Sequence, residues 1–363
     1  MAIKSSKTKD LTRLIRPEVR KLKAYFIDET SYRIKLDAME NPFSLPDDVK
    51  QEAIDAVKSA PFNRYPDPSA KRLKEAIAEL WGIGTQRMVL GNGSDELIQA
   101  IILAFGGPII IPVPTFALYE ISAAVLAQHV VTIPLKKDFS LNTDKLLKKA
   151  NDVKAKIIFL ASPNNPTGNR FSDDAVLKIL DKAKAAVVLD EAYFSFSNKT
   201  FLPMLKDYPN VIILRTLSKI GFAGLRIGVL TASPKIVGYL NKVRLPYNIN
   251  ILSQVAAEAA LRRKDVLNRQ ISLLISARER LYNSLKQVDG VTAYPSETNF
   301  ILIRTAIDAS LIYEKLKESG ILVKNLNRPG ALANCLRVTV GTPDENNEFI
   351  SSLRKILAAY RQT

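Results

Sequence analysis

The sequence predicts an α/β protein: a large domain built on a doubly wound, mostly parallel sheet, followed by a smaller α+β domain. Three observations carry this. Between about residues 90 and 245, short runs rich in Val, Ile and Leu alternate with helical patterns, as strands buried on both faces and their covering helices do. After Pro246 the alternation gives way to a long amphipathic segment, then to apolar strands interspersed with helices. The 363 residues suffice for two domains, and 47% hydrophobic with 24% charged residues is a globular composition able to bury its own core.

In chain order, residues 1–23 hold the basic residues Lys4, Lys7, Lys9, Arg13, Arg16, Arg20, Lys21 and Lys23 against Asp10 and Glu18. They lack the apolar stretch of a secretory signal but are basic enough to suggest a transit peptide, against which the two acids count mildly. The uncharged stretch from Leu97 to Tyr119 contains Gly106, Gly107, Pro108, Pro112 and Pro114. These would break a spanning helix, so the stretch reads as a helix end, a turn and a buried strand. A soluble, cytoplasmic protein without membrane association is expected. IIFLAS (157–162), AAVVLD (185–190), VIILRT (211–216) and RIGVLTA (226–232) read as buried strands. Between the first two, SDDAVLKILDKAKA reads as a helix with Ser172 as N-cap and acids in its first turn. Beyond Pro246 come an amphipathic helix over about 253–288, the strands VTAY, NFILIR, ILVK and LRVTV, and helices near 309–319 and 343–361. The expected division is an N-terminal arm (1–43) joining the small domain, a large domain (44–247) and a small C-terminal domain (248–363).

Composition narrows the chemistry. Cys335 is the only cysteine and His129 the only histidine. That excludes an intramolecular disulfide and argues against a Cys/His metal site. Any Ser-His or Cys-His nucleophile would have to be built on His129, which lies in a connection entering an apolar strand and reads as structural or surface. Chemistry run by a cofactor, a lysine or carboxylates is favoured. The net charge of +16 is spread in short mixed runs, with neither a zinc finger nor an aromatic-basic RNA-binding run. A solvated basic surface therefore ranks first, anionic small-molecule substrates second and nucleic acid third.

In an open parallel sheet, ligands bind outside the carboxyl ends of the strands. Asn164 and Asn165 follow IIFLAS; Asp190 closes AAVVLD, with Glu191, Ala192 and Tyr193 after it; Ser218 and Lys219 follow VIILRT. An amide, a carboxylate, a phenol and a lysine would converge on one crevice. In LGNGSDELIQAIILAF, Gly91 and Gly93 precede Ser94 at a helix start. Backbone N–H groups there, with Ser218 and Arg226, suit a phosphate cup. A lysine beside a phosphate site, with an acid and a phenol nearby, suits pyridoxal phosphate, which needs a lysine, an acid for its ring nitrogen and an anchored phosphate. Singly, each residue has a plainer reading: Asp190 as a helix cap, Tyr119 and Tyr193 as core aromatics, Lys219 as an exposed loop lysine, Cys335 as an inert buried thiol. Arg337, midway along an apolar strand, needs an anionic partner, internal or bound.

Taken together and in order, NRYPDP, GNGSDE, SPNNPTG, DEAY and RTLSK with GLRIG resemble the fold-type I pyridoxal-phosphate aminotransferases. The late segments ETNFILIR, GILVKN and CLRVTVGTPDEN resemble the histidinol-phosphate aminotransferase branch. The resemblance runs from about Val19 to the C-terminus. It implies Lys219 as the lysine that bonds the cofactor and later shuttles a proton, Asp190 on the pyridine nitrogen, Asn165 and Tyr193 on the ring oxygen, and Tyr119 stacked on the ring. Ser94 and Asp95 through their backbones, Ser218 and Arg226 would surround the phosphate. Tyr65 would reach the phosphate in the other subunit's site, which implies a homodimer. Arg337 would hold the substrate's distal anion, while Tyr25 and Asn41 would close over the substrate from the arm.

The implied reaction is a ping-pong exchange between L-histidinol phosphate and 2-oxoglutarate, giving imidazole acetol phosphate and L-glutamate in histidine biosynthesis. Two features depart from the family's pattern. Lys324 stands where many members have a second substrate-binding arginine, keeping the charge but not the bidentate fork. The loop from Lys219 to Arg226 is one residue shorter than the commoner form, with the arginine still expected to reach the phosphate. An aromatic amino acid aminotransferase and a threonine-phosphate decarboxylase of the same fold stay open. So does a DNA-binding regulator carrying this fold, although the roughly forty residues before Glu40 are too few for a winged helix and linker.

Overall fold

The computed structural model of the chain describes residues 10–22 and 32–361. The strands among them are β1 (Ile34–Leu36), β2 (Met88–Asn92), β3 (Ile109–Val113), β4 (Val130–Pro134), β5 (Ile157–Ala161), β6 (Ala186–Asp190), β7 (Val211–Thr216), β8 (Ile227–Thr231), β9 (Val291–Ala293), β10 (Phe300–Thr305), β11 (Ile321–Asn325) and β12 (Cys335–Thr339). They make two sheets, a seven-stranded one in the order β2-β8-β7-β6-β5-β3-β4 and a five-stranded one in the order β1-β11-β12-β10-β9.

The large sheet alternates its side chains between two apolar layers. In β5, Ile157 and Phe159 join one core with Ile109, Val188 and Ile212, while Ile158 and Leu160 join the other with Ile110, Val187 and Ile213. A strand with helices on both faces has no polar side to show, hence the continuous apolar runs. The helix Asp173–Lys182 between β5 and β6 is capped as expected: the Ser172 side chain accepts from the Ala175 N–H, with Asp173 and Asp174 in the first turn. Strand order reverses between β3 and β5, where such sheets open a ligand crevice.

RIGVLTA differs from the run of parallel strands before it. β8 is antiparallel to both β7 and β2. Residues 217–226, which connect β7 to β8, hold only two short 3-10 turns, Ser218–Ile220 and Ala223–Leu225. A parallel return needs a crossover of a dozen or more residues, so the chain doubles back. The carboxyl end of β7, the start of β8 and the end of β2 therefore lie at one edge of the crevice.

The small sheet takes β1 from ahead of the large sheet and β9–β12 from after it. β1 runs parallel to β11, with Ile34 opposite Ile321 and Leu36 opposite Val323. These four side chains lie in one apolar core, which leaves Lys35 on the opposite face. The single amphipathic helix expected over 253–288 is two, Ile251–Leu261 and Lys264–Lys286. Arg263 interrupts them with φ −93° and ψ 59° and ion-pairs with Asp48 at 2.6 Å and Asp265 at 3.4 Å. The first helix packs nearly all round, the second on one face, so their hydrophobic patterns do not share a register. No helix among the described residues is long and apolar enough to cross a membrane.

Candidate active site

A cavity of about 440 Å³ opens at the carboxyl ends of β5, β6 and β7, and the face of the small sheet opposite its core closes one side. Asp190 is the last residue of β6, only 5% exposed, and its carboxylate is in contact with the cavity. Its Oδ1 accepts from the Ala192 N–H at 3.0 Å and its Oδ2 from the Tyr119 hydroxyl at 2.6 Å. Burial pushes its pKa up to about 6, against the pull of those two donors. Glu191, the next residue of DEAY, points elsewhere. It pairs with buried Arg215 at 2.9 Å, and that guanidinium lies 3.6 Å from the Phe194 ring centre. Breaking so buried a pair costs roughly 3–5 kcal/mol, so Glu191 braces the turn that follows Asp190.

Tyr119 is not where the resemblance puts it. It is fully buried beneath the crevice and stacks on Phe159 with ring centres 4.6 Å apart. The aromatic of PTFALY that lines the cavity is Phe116. The helix Leu118–Val125 buries Tyr119, Ser122 and Ala123, an i, i+3, i+4 face that turns Tyr119 toward the sheet, while Phe116 precedes the helix and stays in the loop.

Asn165 and Tyr193 meet: the Asn165 amide donates to the Tyr193 hydroxyl at 3.3 Å. Arg337 of β12 donates from Nη1 to Asn165 Oδ1 at 2.6 Å and from Nη2 to the Asp37 carbonyl at 2.7 Å. One guanidinium thereby ties the small sheet to the loop after β5. Asn164 serves that loop's own shape, donating to the Pro114 carbonyl at 3.0 Å and accepting from Thr115 at 2.7 Å. Lys219 stands half-buried in the wall, its Nζ 3.4 Å from the Ala38 carbonyl. Burial, with Arg337's charge adding to it, brings its pKa down to about 8.

At the crevice edge, Ser94, Asp95, Ser218 and Arg226 line the cavity together. Gly93 has φ +81°, and a Cβ there would overlap Arg226 Nη2; a Cβ on Gly228 would overlap the Gly93–Ser94 peptide. These two glycines let the start of the helix Ser94–Phe105, the guanidinium and β8 meet closely. Arg226 also ion-pairs with Asp95 at 3.3 Å, so the shorter loop does deliver the arginine to this edge. Thr216, closing β7, donates to Ser218 Oγ at 2.9 Å.

The remaining wall is the strap after β1. Met39 has φ +54°, a conformation costing about 1–3 kcal/mol, and is held there by its N–H to Thr339 Oγ1 and its C=O from the Asn299 amide, both at 3.0 Å. Lys35 bridges Asp37 at 3.0 Å and Glu40 at 2.9 Å. Lys324 sits across from Arg337 in the β11–β12 register and shares the cavity. Asn41 is not among the lining residues and donates to Gln270 Oε1 at 2.8 Å. Tyr65 is 80% exposed, stacked on Tyr247 at 4.5 Å and outside this cavity. Tyr25 lies outside the described residues. His129 is at the surface, and Cys335 is fully buried.

The sequence profile of the family described as aminotransferase class I and II matches residues 32–353. The chain belongs to this family. As an aminotransferase it is 44% identical to histidinol-phosphate aminotransferase 2 of Nitrosococcus oceani, over 96% of this chain and 98% of the relative. It is 40% identical to the histidinol-phosphate aminotransferase of Aquifex aeolicus, over 94% and 98%. Its fold is similar to that of the histidinol-phosphate aminotransferase of Sinorhizobium meliloti solved in complex with pyridoxal-5'-phosphate (TM-score 0.86, 24% identity, 98% of this chain and 99% of that one). It is also similar to that of L-threonine-O-3-phosphate decarboxylase from Porphyromonas gingivalis (TM-score 0.78, 24% identity, 90% and 99%).

Among the lining residues that sequence reasoning missed are Phe116, Thr216, Lys35 and Glu40. The first two carry a readable signal, a loop aromatic ahead of a helix and a hydroxyl at a strand's carboxyl end. Lys35 had one too, a lone cation between buried Ile34 and Leu36.

Proposed function

We propose that this aminotransferase uses pyridoxal phosphate on Lys219 to exchange amino groups between L-histidinol phosphate and 2-oxoglutarate. One observation carries it: a single cavity gathers a lysine, a buried carboxylate and two arginines, Arg226 at the edge of the large sheet and Arg337 within the small one. Two separate guanidiniums suit a reaction whose cofactor and substrate each bring an anion. The 44% identity to a relative named for histidinol phosphate supports the choice of substrate.

The residues fit the cofactor on features of the chain itself. The glycine-lined approach of Gly93 and Gly228 leaves a helix N-terminus and Arg226 side by side, a donor set for phosphate. When bound, pyridoxal phosphate supplies an electron sink for the charge left on the substrate's Cα. The rest is the protein's work. Lys219 Nζ, neutral in an appreciable fraction near pH 8, takes the proton from Cα as general base. Asp190 holds a proton on the ring nitrogen. The Asn165 amide and Tyr193 hydroxyl donate to the ring oxygen. Arg337, its plane fixed by Asn165 and the Asp37 carbonyl, orients the substrate by its anion, and Lys324 adds a second positive charge beside it. Phe116, rather than Tyr119, is the aromatic offered to the ring's face. Phe62, Tyr65 and Leu245 are 70%, 80% and 69% exposed; we read them as a face covered by a second copy of the chain, with Tyr65 entering that copy's site.

The test is the visible spectrum of the purified protein loaded with pyridoxal phosphate. A yellow band that bleaches with L-histidinol phosphate and returns with 2-oxoglutarate is expected. Bleaching by phenylalanine alone would move the substrate to aromatic amino acids, and carbon dioxide release from threonine phosphate would replace transamination by decarboxylation. No band would overturn the cofactor.

A further inference from the structure

We propose that Tyr119 is a positioning residue for the cofactor's ring nitrogen: its hydroxyl donates to Asp190 and holds that carboxylate ionised and aimed into the cavity. The inference rests on the reading of Asp190 as the ring nitrogen's partner. The resemblance would make Tyr119 a ring-stacking residue, but its burial and its 4.6 Å stack on Phe159 leave no face for a ligand. Its hydroxyl instead lies 2.6 Å from Asp190 Oδ2, within the range of a charge-assisted bond.

The surroundings fix that donor. The Tyr119 ring lies flat on Phe159, with an interplanar angle of 12°, and meets Phe116 edge-on at 5.6 Å. The O–H therefore cannot swing away. Burial and Asp190's charge push the Tyr119 pKa well up, so the group donates and never competes for the proton. The other oxygen, Oδ1, takes the Ala192 N–H at 3.0 Å. Each carboxylate oxygen is thus steadied by one protein donor and keeps a lone pair for the cavity. An acid so buried would otherwise favour its neutral form, and a neutral Asp190 leaves the ring nitrogen unprotonated and the electron sink weak. Phe116 and Tyr119, in edge contact, would then serve different parts of the same ring: one its face, the other its nitrogen through Asp190.

Tyr119→Phe keeps the ring and deletes only the O–H. Wild-type and variant proteins are titrated with pyridoxal phosphate and, separately, with its 1-deaza analogue, in which the ring nitrogen is a C–H. The variant is expected to bind pyridoxal phosphate about tenfold more weakly, the scale of a lost hydrogen bond to a charged group. The pH midpoint of its visible band should rise, because a less protonated ring withdraws fewer electrons. Both proteins should bind the deaza analogue equally. A weakening shared by both probes would mean a packing role and overturn the inference, as would an unchanged affinity and midpoint. 3-Fluorotyrosine at position 119, a stronger donor of nearly the same size, provides the second variant: the midpoint must move the opposite way, and failure to do so also counts against the proposal. A wild-type protein without a visible band would bring down the cofactor reading itself, whereas a wild-type band with an unaltered variant would bring down this inference alone.

Discussion

Lys219 has a pKa of about 8, brought down from the ordinary 10.5 by burial and then by Arg337. Capture of pyridoxal phosphate by the cofactor-free protein consumes the neutral amine, so its rate should climb with pH and level off above about 8. A climb continuing to 10 would contradict the burial. The same shift bears on stability: between about 8 and 10.5 the unfolded chain holds a proton on Lys219 that the folded one has lost, so stability should rise with pH across that window. Urea unfolding at pH 8 and 10, compared with Lys219→Met, measures it; the variant should lack the rise. For Arg337, replacement by Lys keeps the charge but loses the two-handed hold on Asn165 and the Asp37 carbonyl. Because that hold orients substrate, kcat/KM should fall by about 10²-fold, mostly through KM. At this scale the sequence was informative wherever a strand's end decides position: Asp190, Asn165, Ser218 and Lys219 all follow apolar runs and all line one cavity. It misled where helix phase decides. Tyr119 and Phe116 share a motif, and only the start of the helix at Leu118 determines which of them is buried.

The short return from β7 to β8 is the element on which the crevice depends. It reverses the chain within residues 217–226, so Lys219 and Arg226 leave and re-enter the sheet at the same edge. β8 can come so close to the start of the helix Ser94–Phe105 only because residue 228 is glycine. Gly228→Ala should therefore push the helix start away from Arg226. We expect about 1–3 kcal/mol of lost stability, read as a lower unfolding midpoint, together with weaker binding of pyridoxal phosphate. A variant as stable as wild type and binding normally would show that the approach is not needed. Element types were legible from periodicity because buried strands and one-sided helices write different patterns. Strand direction was not, since RIGVLTA is as apolar as its parallel neighbours and only the length of its connection betrays it. The break at Arg263 was hidden for a similar reason: basic residues are good helix formers, and the shorter of the ion pairs that hold the turn is to Asp48, far away in sequence.

In the whole molecule, the net charge of +16 is a property of the surface, while the site depends on a few buried groups drawn from both sheets. If Tyr65 enters a second copy's site, subunits with different defects should complement each other. Tyr65→Phe retains its own Lys219, and Lys219→Ala retains its own Tyr65. After unfolding and refolding together, a mixed pair holds one site with both residues, so a mixture should regain up to about a quarter of wild-type activity by random pairing. An inactive mixture, although sedimentation shows paired chains, would place Tyr65 elsewhere. The small sheet has another consequence, for the order in which the protein is made. β1 pairs with β11 across most of the chain, Ile34 with Ile321, and the wall beside Lys219 needs both the strap after β1 and Arg337. A ribosome releases the N-terminus first, so residues 34–40 must wait unpaired while the seven-stranded sheet emerges and folds. Such distant pairing is slow to close. The nascent protein can thus present a finished large sheet with Lys219 on it well before it has a site able to orient a substrate, and catalytic competence arrives only with the last strand to be synthesised.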